Sequence, residues 1–423
     1  SLYIDEGYGR YDAIKNIFTK NLTGIDLDTR AKQLATFALL LKAAQIDPTF
    51  LDGEIMPRVY DMPNVNRYTW RDLGGHMACA LQIGMEDENI SKELDDCFAL
   101  MEQAQNLGSI MKFNISEPTR AFLIKCIEEQ ARQHKFEDSF ADLFHGFKII
   151  LALTEKYAAL AMNPPYMGKN NMNTILLNYV KNYYSDGKDD LYSVFMVLAG
   201  NELAKNGKCG MINMHTWMFT TRFYSLRTSV VCYNNIDSLL HLGPRTFDEL
   251  SGEVVQNVAF VITNQKPSNT GTYYRLVDQK SCSEKESAFL AKKEVYTQID
   301  QNRFSEIPGS PIGYWVSNKM FALITNKHSI GEYFSFREGI HTANNEVFVH
   351  YWYEINRNLL VLDAESYDDI DDKGCWVPYN KGGEFRRWYG NNENVIAFDY
   401  KNREAMALLQ GHVRPSQDLY FKE

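Results

Sequence analysis

The chain has 423 residues, of which 45% are apolar and 13% aromatic, and its formal net charge is −10. This length accommodates two domains or more, and the composition is that of a globular protein. The charge excludes a chain that is cationic overall, but a local basic face would suffice to neutralise phosphates. No apolar run approaches the ~20 residues that cross a bilayer and no signal pattern is visible, so we expect no membrane association.

The seven cysteines are scattered along the chain and form no Cys-x-x-Cys pair. This spacing favours neither a zinc site nor a disulfide framework. We therefore expect no metal and a reducing, cytoplasmic location.

The N-terminal part predicts a strand at residues 22–26 and a helix at residues 31–44, with Leu34, Phe37, Ala38 and Leu41 on one apolar face. An acidic side chain at the end of a strand can hold the ribose hydroxyls of a nucleoside cofactor, which makes Asp26 a candidate. Residues 45–155 are mostly helical and polar, which predicts an insertion between strands.

Asp28 is the rival acidic residue in this part of the chain. Its more favoured role is to cap the helix that begins just after it.

A short apolar run at residues 156–162 predicts a buried strand, and Asn163, Pro164, Pro165 and Tyr166 follow it directly. A helix is predicted next, at residues 173–181. The tetrapeptide therefore lies at the carboxyl end of a strand, where open α/β sheets bind ligands. For a bare Asn-Pro-Pro a surface turn is the alternative; the preceding strand favours a ligand site.

The tetrapeptide suits an amine on a planar ring. The Asn163 side-chain oxygen and the Pro164 carbonyl can accept hydrogen bonds from the two N–H groups of this amine, and Tyr166 can stack on the ring. Consecutive prolines hold φ near about −65°, so these acceptors keep their positions. Aligned acceptors of this kind lower a barrier by orientation and electrostatics rather than by proton transfer.

The rest of the chain alternates again between helix and strand. A helix from Asp190 to Asn206 is predicted, then strands at residues 208–214, 236–243 and 254–263. Residues 266–306 predict an exposed connection with one or two strands, and a second domain is predicted from Pro308. In that domain Lys381, Arg386 and Arg387 stand among Trp376, Tyr379 and Trp388, which fits either a nucleic-acid contact or a solvated loop over a small aromatic core.

Five ordered segments resemble the N6-adenine DNA methyltransferases, and more narrowly the PglX-type enzymes of BREX phage-defence systems and related type IIG restriction-modification enzymes. The segments are residues 21–28, 163–168, 252–260, 307–315 and 378–391. The resemblance implies an α/β, Rossmann-like methyltransferase core, incomplete at its N-terminus, with a helical insertion and the start of a C-terminal DNA-recognition domain. The core would comprise residues 1–44 and 156–265, the insertion 45–155, the connection 266–307 and the recognition region 308–423.

The resemblance also implies roles for single residues. Tyr166 and Phe247 would sandwich an adenine extruded from the duplex, although a core position is the ordinary alternative for a phenylalanine. Asp26 would hold the ribose of S-adenosylmethionine, with Asp28 and Ser109 as further cofactor candidates. Lys381, Arg386 and Arg387 would contact DNA.

One departure from the family pattern concerns the glycine-rich loop that wraps the methionine end of the cofactor, which this sequence lacks. Gly7-Tyr8-Gly9 is no substitute, because no strand precedes it and a third glycine is missing. We therefore expect the strands ending at Asp26 and Met162 to close together or to be bridged by another segment.

The predicted function is methylation of the N6 amine of adenine in double-stranded DNA, with S-adenosylmethionine as cofactor and other phage-defence proteins as candidate partners. No nuclease motif of the Pro-Asp…Glu-x-Lys kind is visible. Two alternatives stay open. One is methylation of RNA or of a protein glutamine, and the other is a noncatalytic DNA-binding fragment.

Overall fold

A computed structural model gives the fold for residues 2–63, 88–133, 141–247, 255–267, 271–326, 330–336, 338–415, 417 and 420–421. The chain divides into two compact units, Ser1–Thr325 and Asn326–Glu423. No helix among these residues is long and apolar enough to span a membrane.

The strands are, in chain order, β1 (Thr23–Asp26), β2 (Arg58–Asp61), β3 (Tyr157–Met162), β4 (Leu203–Met214), β5 (Asn235–Gly243), β6 (Asn257–Thr263), β7 (Gly271–Arg275), β8 (Val295–Ile299), β9 (Val349–Tyr351), β10 (Trp376–Pro378) and β11 (Asn394–Ala397).

The α-helices are α1 (Leu2–Asp5), α2 (Arg10–Asn16), α3 (Thr29–Ile46), α4 (Glu88–Met101), α5 (Ala104–Leu107), α6 (Glu117–Gln133), α7 (Ala141–Thr154), α8 (Thr174–Tyr183), α9 (Leu191–Glu202), α10 (Tyr224–Tyr233), α11 (Cys282–Leu290), α12 (Arg303–Glu306), α13 (Asn318–Thr325), α14 (Asn345–Phe348), α15 (Tyr367–Lys373) and α16 (Tyr400–Ala407).

The main sheet of the first unit has six strands in the order β3-β4-β6-β5-β7-β8. Strands β3 and β4 run parallel, with Met162 opposite Met211. Strand β6 runs antiparallel to both β4 and β5. The carboxyl ends of β3, β4 and β5 and the start of β6 therefore meet at one edge of the sheet. The α/β class predicted from the sequence is confirmed, and the sheet is mixed rather than wholly parallel.

Strands β1 and β2 form a separate parallel pair, with Asp26 opposite Asp61. Among the described residues β1 pairs only with β2, and β3 pairs only with β4. Neither closure of β1 onto β3 nor a bridging strand between them is seen in this part of the chain. The sequence also missed β2, which lies within the segment 45–155 that we expected to be mainly helical.

Helix α3 has the predicted position but not the predicted packing. Leu34, Phe37 and Leu41 are 69%, 63% and 51% exposed. The helix packs instead through Ala43, with Leu39 and its neighbours partly buried against a small N-terminal cluster. Because α3 carries apolar residues all round, periodicity alone could not choose the buried face.

Two apolar cores flank the motif that follows β3. In the first, helices α4, α7, α8 and α9 pack together around Phe144 and Phe147. The second lies between the six-stranded sheet and α10 and includes Trp217 and Phe260. The helices of residues 88–154 thus share a core with the helices that follow β3.

Helix α9 ends at Glu202, earlier than the predicted Asn206, because β4 already begins at Leu203. The predicted exposed connection 266–306 is largely structured. It supplies β7 and β8 at the edge of the sheet and the helix α11.

The second unit begins at Asn326, later than the boundary predicted at Pro308. The intervening segment packs onto the first unit, since Ile312 and Tyr314 are buried in its core. The buried guanidinium of Arg227 also donates to the carbonyls of Gly309 and Ser310, and to those of two residues near α10.

The second unit contains a three-stranded antiparallel sheet in the order β10-β11-β9. Its core is formed by Phe348, Ile370, Ile396 and Phe398. The loop from β10 to β11 contains the predicted basic residues.

Candidate active site

The tetrapeptide Asn163-Pro164-Pro165-Tyr166 directly follows β3 at the edge where four strand ends meet. Asn163 and Pro165 are exposed, Pro164 is buried and Tyr166 is half-buried. The Asn163 side chain is therefore accessible to a ligand, while the backbone beside it is fixed by packing.

Tyr166 is anchored from a different strand. The Asn257 side-chain Nδ2 donates to the Tyr166 hydroxyl at 3.0 Å, and Asn257 is 1% exposed at the start of β6. The Tyr166 ring also meets Tyr192 edge-on at 6.1 Å. Burial raises the pKa of Tyr166, so its hydroxyl keeps its proton at neutral pH.

The loop after Tyr166 is held by a buried carboxylate. Asp190 Oδ1 accepts the Met167 backbone N–H at 3.0 Å and also caps α9. Lys169 forms an ion pair with the neighbouring Asp189 at 2.6 Å. The sequence identified Asp190 as a helix cap but missed its second contact, which ties the loop to α9.

Asp26 lies at the carboxyl end of β1 and is exposed. Its Oδ1 accepts the Asp28 backbone N–H at 2.9 Å, and its Oδ2 has no hydrogen-bond partner among the described residues. Asp28 is the N-cap of α3 and accepts the Arg30 N–H at 2.8 Å. Asp28 is thus engaged locally, whereas Asp26 keeps an oxygen available for a hydroxyl group.

Ser109 is half-buried in the turn Gly108–Ile110, which adjoins β1. The buried Gly108 has φ +55°, a conformation that favours glycine. One turn earlier, Asn106 accepts a hydrogen bond from Asn173, the N-cap of α8, at 3.0 Å. This segment therefore connects the end of β1 with the helix that follows the tetrapeptide.

Phe247 lies beyond β5 and is 40% exposed. Its ring is not in contact with Tyr166 in the described part of the chain. Residues 248–254, which include the start of the predicted strand 254–263, lie outside the described residues.

The basic residues Lys381, Arg386 and Arg387, hereafter the loop cations, lie in the β10–β11 loop of the second unit. Arg386 and Arg387 are exposed and Lys381 is partly exposed. Phe385, Trp388 and Tyr389 beside them are 89%, 90% and 86% exposed. Tyr379 differs, because it packs against the core of this unit and donates to the Ile340 carbonyl at 2.8 Å.

Sequence reasoning missed three polar residues at the same sheet edge, which are Asn257, His215 and His241. His215 follows β4 directly, and its backbone N–H donates to the Gln256 carbonyl at 2.9 Å. His215 Nδ1 lies 2.8 Å from His241 Nε2 on β5. The position of His215 after a strand was a usable signal, but its neighbours belong to strands far away in sequence.

The six-stranded sheet thus places Asn-Pro-Pro-Tyr directly after β3, and the separate β1–β2 pair places the exposed carboxylate of Asp26 at the end of β1. The chain belongs to the Eco57I restriction-modification methylase family, whose sequence profile matches residues 20–247. The resemblance noted in the sequence is confirmed by this match.

Two curated relatives are similar over nearly the whole chain. The adenine-specific methyltransferase PglX of Lacticaseibacillus casei (strain Zhang) is 35% identical, covering 95% of this chain and 33% of the relative. The adenine-specific methyltransferase BrxX of Escherichia coli O9:H4 (strain HS) is 29% identical, covering 100% and 36%. The chain thus spans about a third of the length of these relatives.

One solved structure with a distant likeness is a restriction-modification enzyme. The type IIL restriction-modification enzyme MmeI, solved in complex with DNA, has 12% identity and a TM-score of 0.41, covering 91% of this chain and 40% of MmeI. This likeness is too low to support an argument about the site.

Proposed function

We propose that this chain carries the amine-recognition site of an enzyme that methylates the N6 amine of adenine in double-stranded DNA, in a restriction-modification or BREX phage-defence system. The observation that carries the proposal is the exposed Asn163 beside the buried Pro164, at the sheet edge where Tyr166 is anchored by Asn257. Membership of the methylase family and the adenine-specific relatives support it.

The tetrapeptide would act on the reacting amine. The Asn163 side-chain oxygen and the Pro164 carbonyl accept the two N–H bonds of the adenine amine, which draws the nitrogen toward tetrahedral geometry and frees its lone pair. Tyr166 stacks on the base, and Phe247 is the proposed partner on the other side. Because Pro164 and Pro165 fix the backbone, little reorganisation accompanies the reaction.

S-adenosylmethionine would supply an electrophilic methyl group when bound. The residues at the end of β1 fit its ribose, because Asp26 is exposed and has one carboxylate oxygen without a partner in the described part of the chain. Ser109, in the adjoining turn, is the second proposed contact. Asp28 has the weaker claim, since its carboxylate already caps α3 and pairs with Arg30.

The loop cations are the proposed contact to DNA. Exposed arginines among exposed aromatic rings combine phosphate neutralisation with stacking on bases. The net charge of the chain is −10, so this contact would rest on a local basic surface rather than on the protein as a whole.

The test is methyl transfer by the enzyme with Asn163→Ala or Tyr166→Ala, compared with Asn170→Ala as a control in the exposed loop nearby. Loss of one aligned acceptor should lower N6-methyladenine in DNA by on the order of 100-fold, with DNA binding changed only a few-fold. Unchanged methylation in both variants would refute the site. If the wild-type enzyme transferred the methyl label to RNA or to a protein glutamine, the corresponding alternative would be favoured. If the wild-type enzyme bound DNA but transferred no methyl group, the noncatalytic alternative would be favoured.

A further inference from the structure

Three side chains, those of Tyr314, His241 and His215, are joined by hydrogen bonds, and His215 lies at the sheet edge occupied by Tyr166. The Tyr314 hydroxyl lies 3.1 Å from His241 Nδ1, and His241 Nε2 lies 2.8 Å from His215 Nδ1. His215 Nε2 has no hydrogen-bond partner among the described residues. His241 is 5% exposed and Tyr314 is 2% exposed, while His215 is half-buried.

His215 lies at the same sheet edge as Tyr166, to which it is related through its two neighbours in sequence. Met214, the residue before His215, pairs with Asn257 across β4 and β6. Asn257 in turn donates to the Tyr166 hydroxyl. On the other side, Thr216, the residue after His215, hydrogen-bonds to Tyr192, whose ring contacts Tyr166. His215 therefore lies between two residues whose partners, Asn257 and Tyr192, contact Tyr166.

The buried Tyr314 hydroxyl determines which ring nitrogens of His241 and His215 carry a proton. The Tyr314 hydroxyl has no other hydrogen-bond partner in the described part of the chain, so it donates to His241 Nδ1 rather than leave a buried O–H unpaired. His241 then carries its proton on Nε2 and donates to His215 Nδ1. The remaining proton of His215 is on Nε2, which makes this atom a hydrogen-bond donor.

Both imidazoles are neutral at physiological pH. Burial lowers the pKa of His241 to about 3, with the neighbouring His215 as a further cause. Burial also lowers the pKa of His215. Because both rings are neutral, the hydrogen bonds between them fix the tautomer of His215 and do not stabilise a charge.

Aromatic rings lie beside the two histidines. Phe219 meets the His215 ring edge-on at 5.6 Å, and Trp315 lies 5.7 Å from Phe219 and 6.0 Å from His241. Trp315 is 38% exposed. A half-open aromatic wall with one N–H donor suits a flat ring that offers an acceptor atom.

We propose that His215 is a base-contacting residue, whose Nε2–H donates to a ring nitrogen of the adenine, and that His241 and Tyr314 are positioning residues that hold its tautomer. The proposal rests on the proposed function. The two acceptors at Asn163 and Pro164 bind only the amine, so they hold the base at one corner. A donor to N1 or N7, the ring nitrogens that flank the amine, adds a second point of contact and restricts the rotation of the base in its plane further.

The first experiment reads the tautomer in the absence of any ligand. Long-range ¹H–¹⁵N spectra of the chain labelled at histidine should show the His215 proton on Nε2, and Tyr314→Phe should abolish that bias. His341, an exposed histidine of the second unit, is the control and should not change. A His215 proton on Nδ1 in the wild-type chain would overturn the proposal.

The second experiment titrates the same chain with 2′-deoxyadenosine, 1-deaza-2′-deoxyadenosine and 7-deaza-2′-deoxyadenosine. The His215 Nε2–H signal should shift with the parent nucleoside and with one analogue, and not with the analogue that lacks the accepting nitrogen. His215→Leu should weaken binding of the parent nucleoside by on the order of 10-fold, and His215→Gln, which keeps a donor, by less.

The outcomes separate this proposal from the proposed function. In a sample labelled at tyrosine as well as histidine, a shift at Tyr166 without one at His215, or an equal response to all three nucleosides, would overturn the role of His215 and leave the adenine site intact. No response at either residue would overturn both.

Discussion

Replacing Asn257 by leucine should separate the stability of the sheet from the activity of the site. Asn257 is 1% exposed, and its Nδ2 donates to the Tyr166 hydroxyl at 3.0 Å and weakly to the Asn213 carbonyl at 3.4 Å. Its Oδ1 is buried without a hydrogen-bond partner in the described part of the chain. The amide thus forms one good hydrogen bond and leaves one acceptor unpaired.

The magnitudes favour a small change in stability. The lost hydrogen bond costs about 1 kcal/mol, and removal of an unpaired buried acceptor returns about 1–3 kcal/mol. We therefore expect Asn257→Leu to unfold in urea at an unchanged or slightly higher midpoint. Tyr166 loses its only hydrogen-bond donor among the described residues, and about 1 kcal/mol of positioning corresponds to a roughly 5-fold slower methyl transfer.

A double-mutant cycle tests the reasoning. Single-turnover methyl transfer should fall by a similar factor in Tyr166→Phe and in Asn257→Leu, and the double variant should fall no further, because both changes remove the same bond. The coupling energy would then be about 1 kcal/mol. Effects that multiply in the double variant would refute the anchor, as would a large loss of stability in Asn257→Leu.

Three further predictions concern other parts of the molecule. Arg227→Met should leave its buried carbonyl partners unpaired at a cost of about 3 kcal/mol. Backbone amides of residues 309–314 should then exchange with deuterium about 100-fold faster. The control Arg222→Met, which changes an exposed arginine, should leave the exchange of these amides unchanged. Replacing the loop cations by glutamine should reduce the slope of log Kd for DNA against log salt by up to about three; Lys401→Gln, an exposed control, should leave it unchanged. Unfolded His241 takes up a proton near its ordinary pKa of 6.5, whereas burial lowers the pKa of the folded residue to about 3. The free energy of unfolding should therefore fall by up to about 2 kcal/mol as the pH falls from 6.5 to 5. In His241→Asn, unfolding measured over the same pH range should lack this decrease.

Local sequence patterns were sufficient for the positions of β4, β5 and the motif that follows β3, but they missed β2. They also wrongly predicted β3 as buried, since none of its residues is buried. Strands β4 and β5 lie where alternating or continuous apolar runs predicted them, because burial of one or both faces leaves its period in the sequence. The position of Asn163 at a strand end follows from the same pattern. These features depend only on neighbours along the chain.

Such local patterns could not predict which elements pack against each other. The apolar face chosen for α3 is exposed, because a helix that is apolar all round fits a core on either side. The segment at residues 308–315 looked like the start of a domain, yet Arg227, some eighty residues earlier, binds its carbonyls. Nothing local to either segment reports this pairing.

The candidate active site depends on residues far from its motif in sequence. Tyr166 follows β3, but its hydrogen-bond donor Asn257 begins β6, and β6 reaches that edge because it runs antiparallel between β4 and β5. His215 follows β4, and its orientation depends on His241 in β5 and on Tyr314 near the end of the first unit. The Asn-Pro-Pro-Tyr sequence therefore supplies two acceptors and a ring, whereas the six-stranded sheet supplies their positions. Because a short motif recurs as a simple surface turn in other contexts, a site at this motif is supported by the antiparallel strand β6 and by the buried hydrogen bonds of Asn257 and His241 beside it.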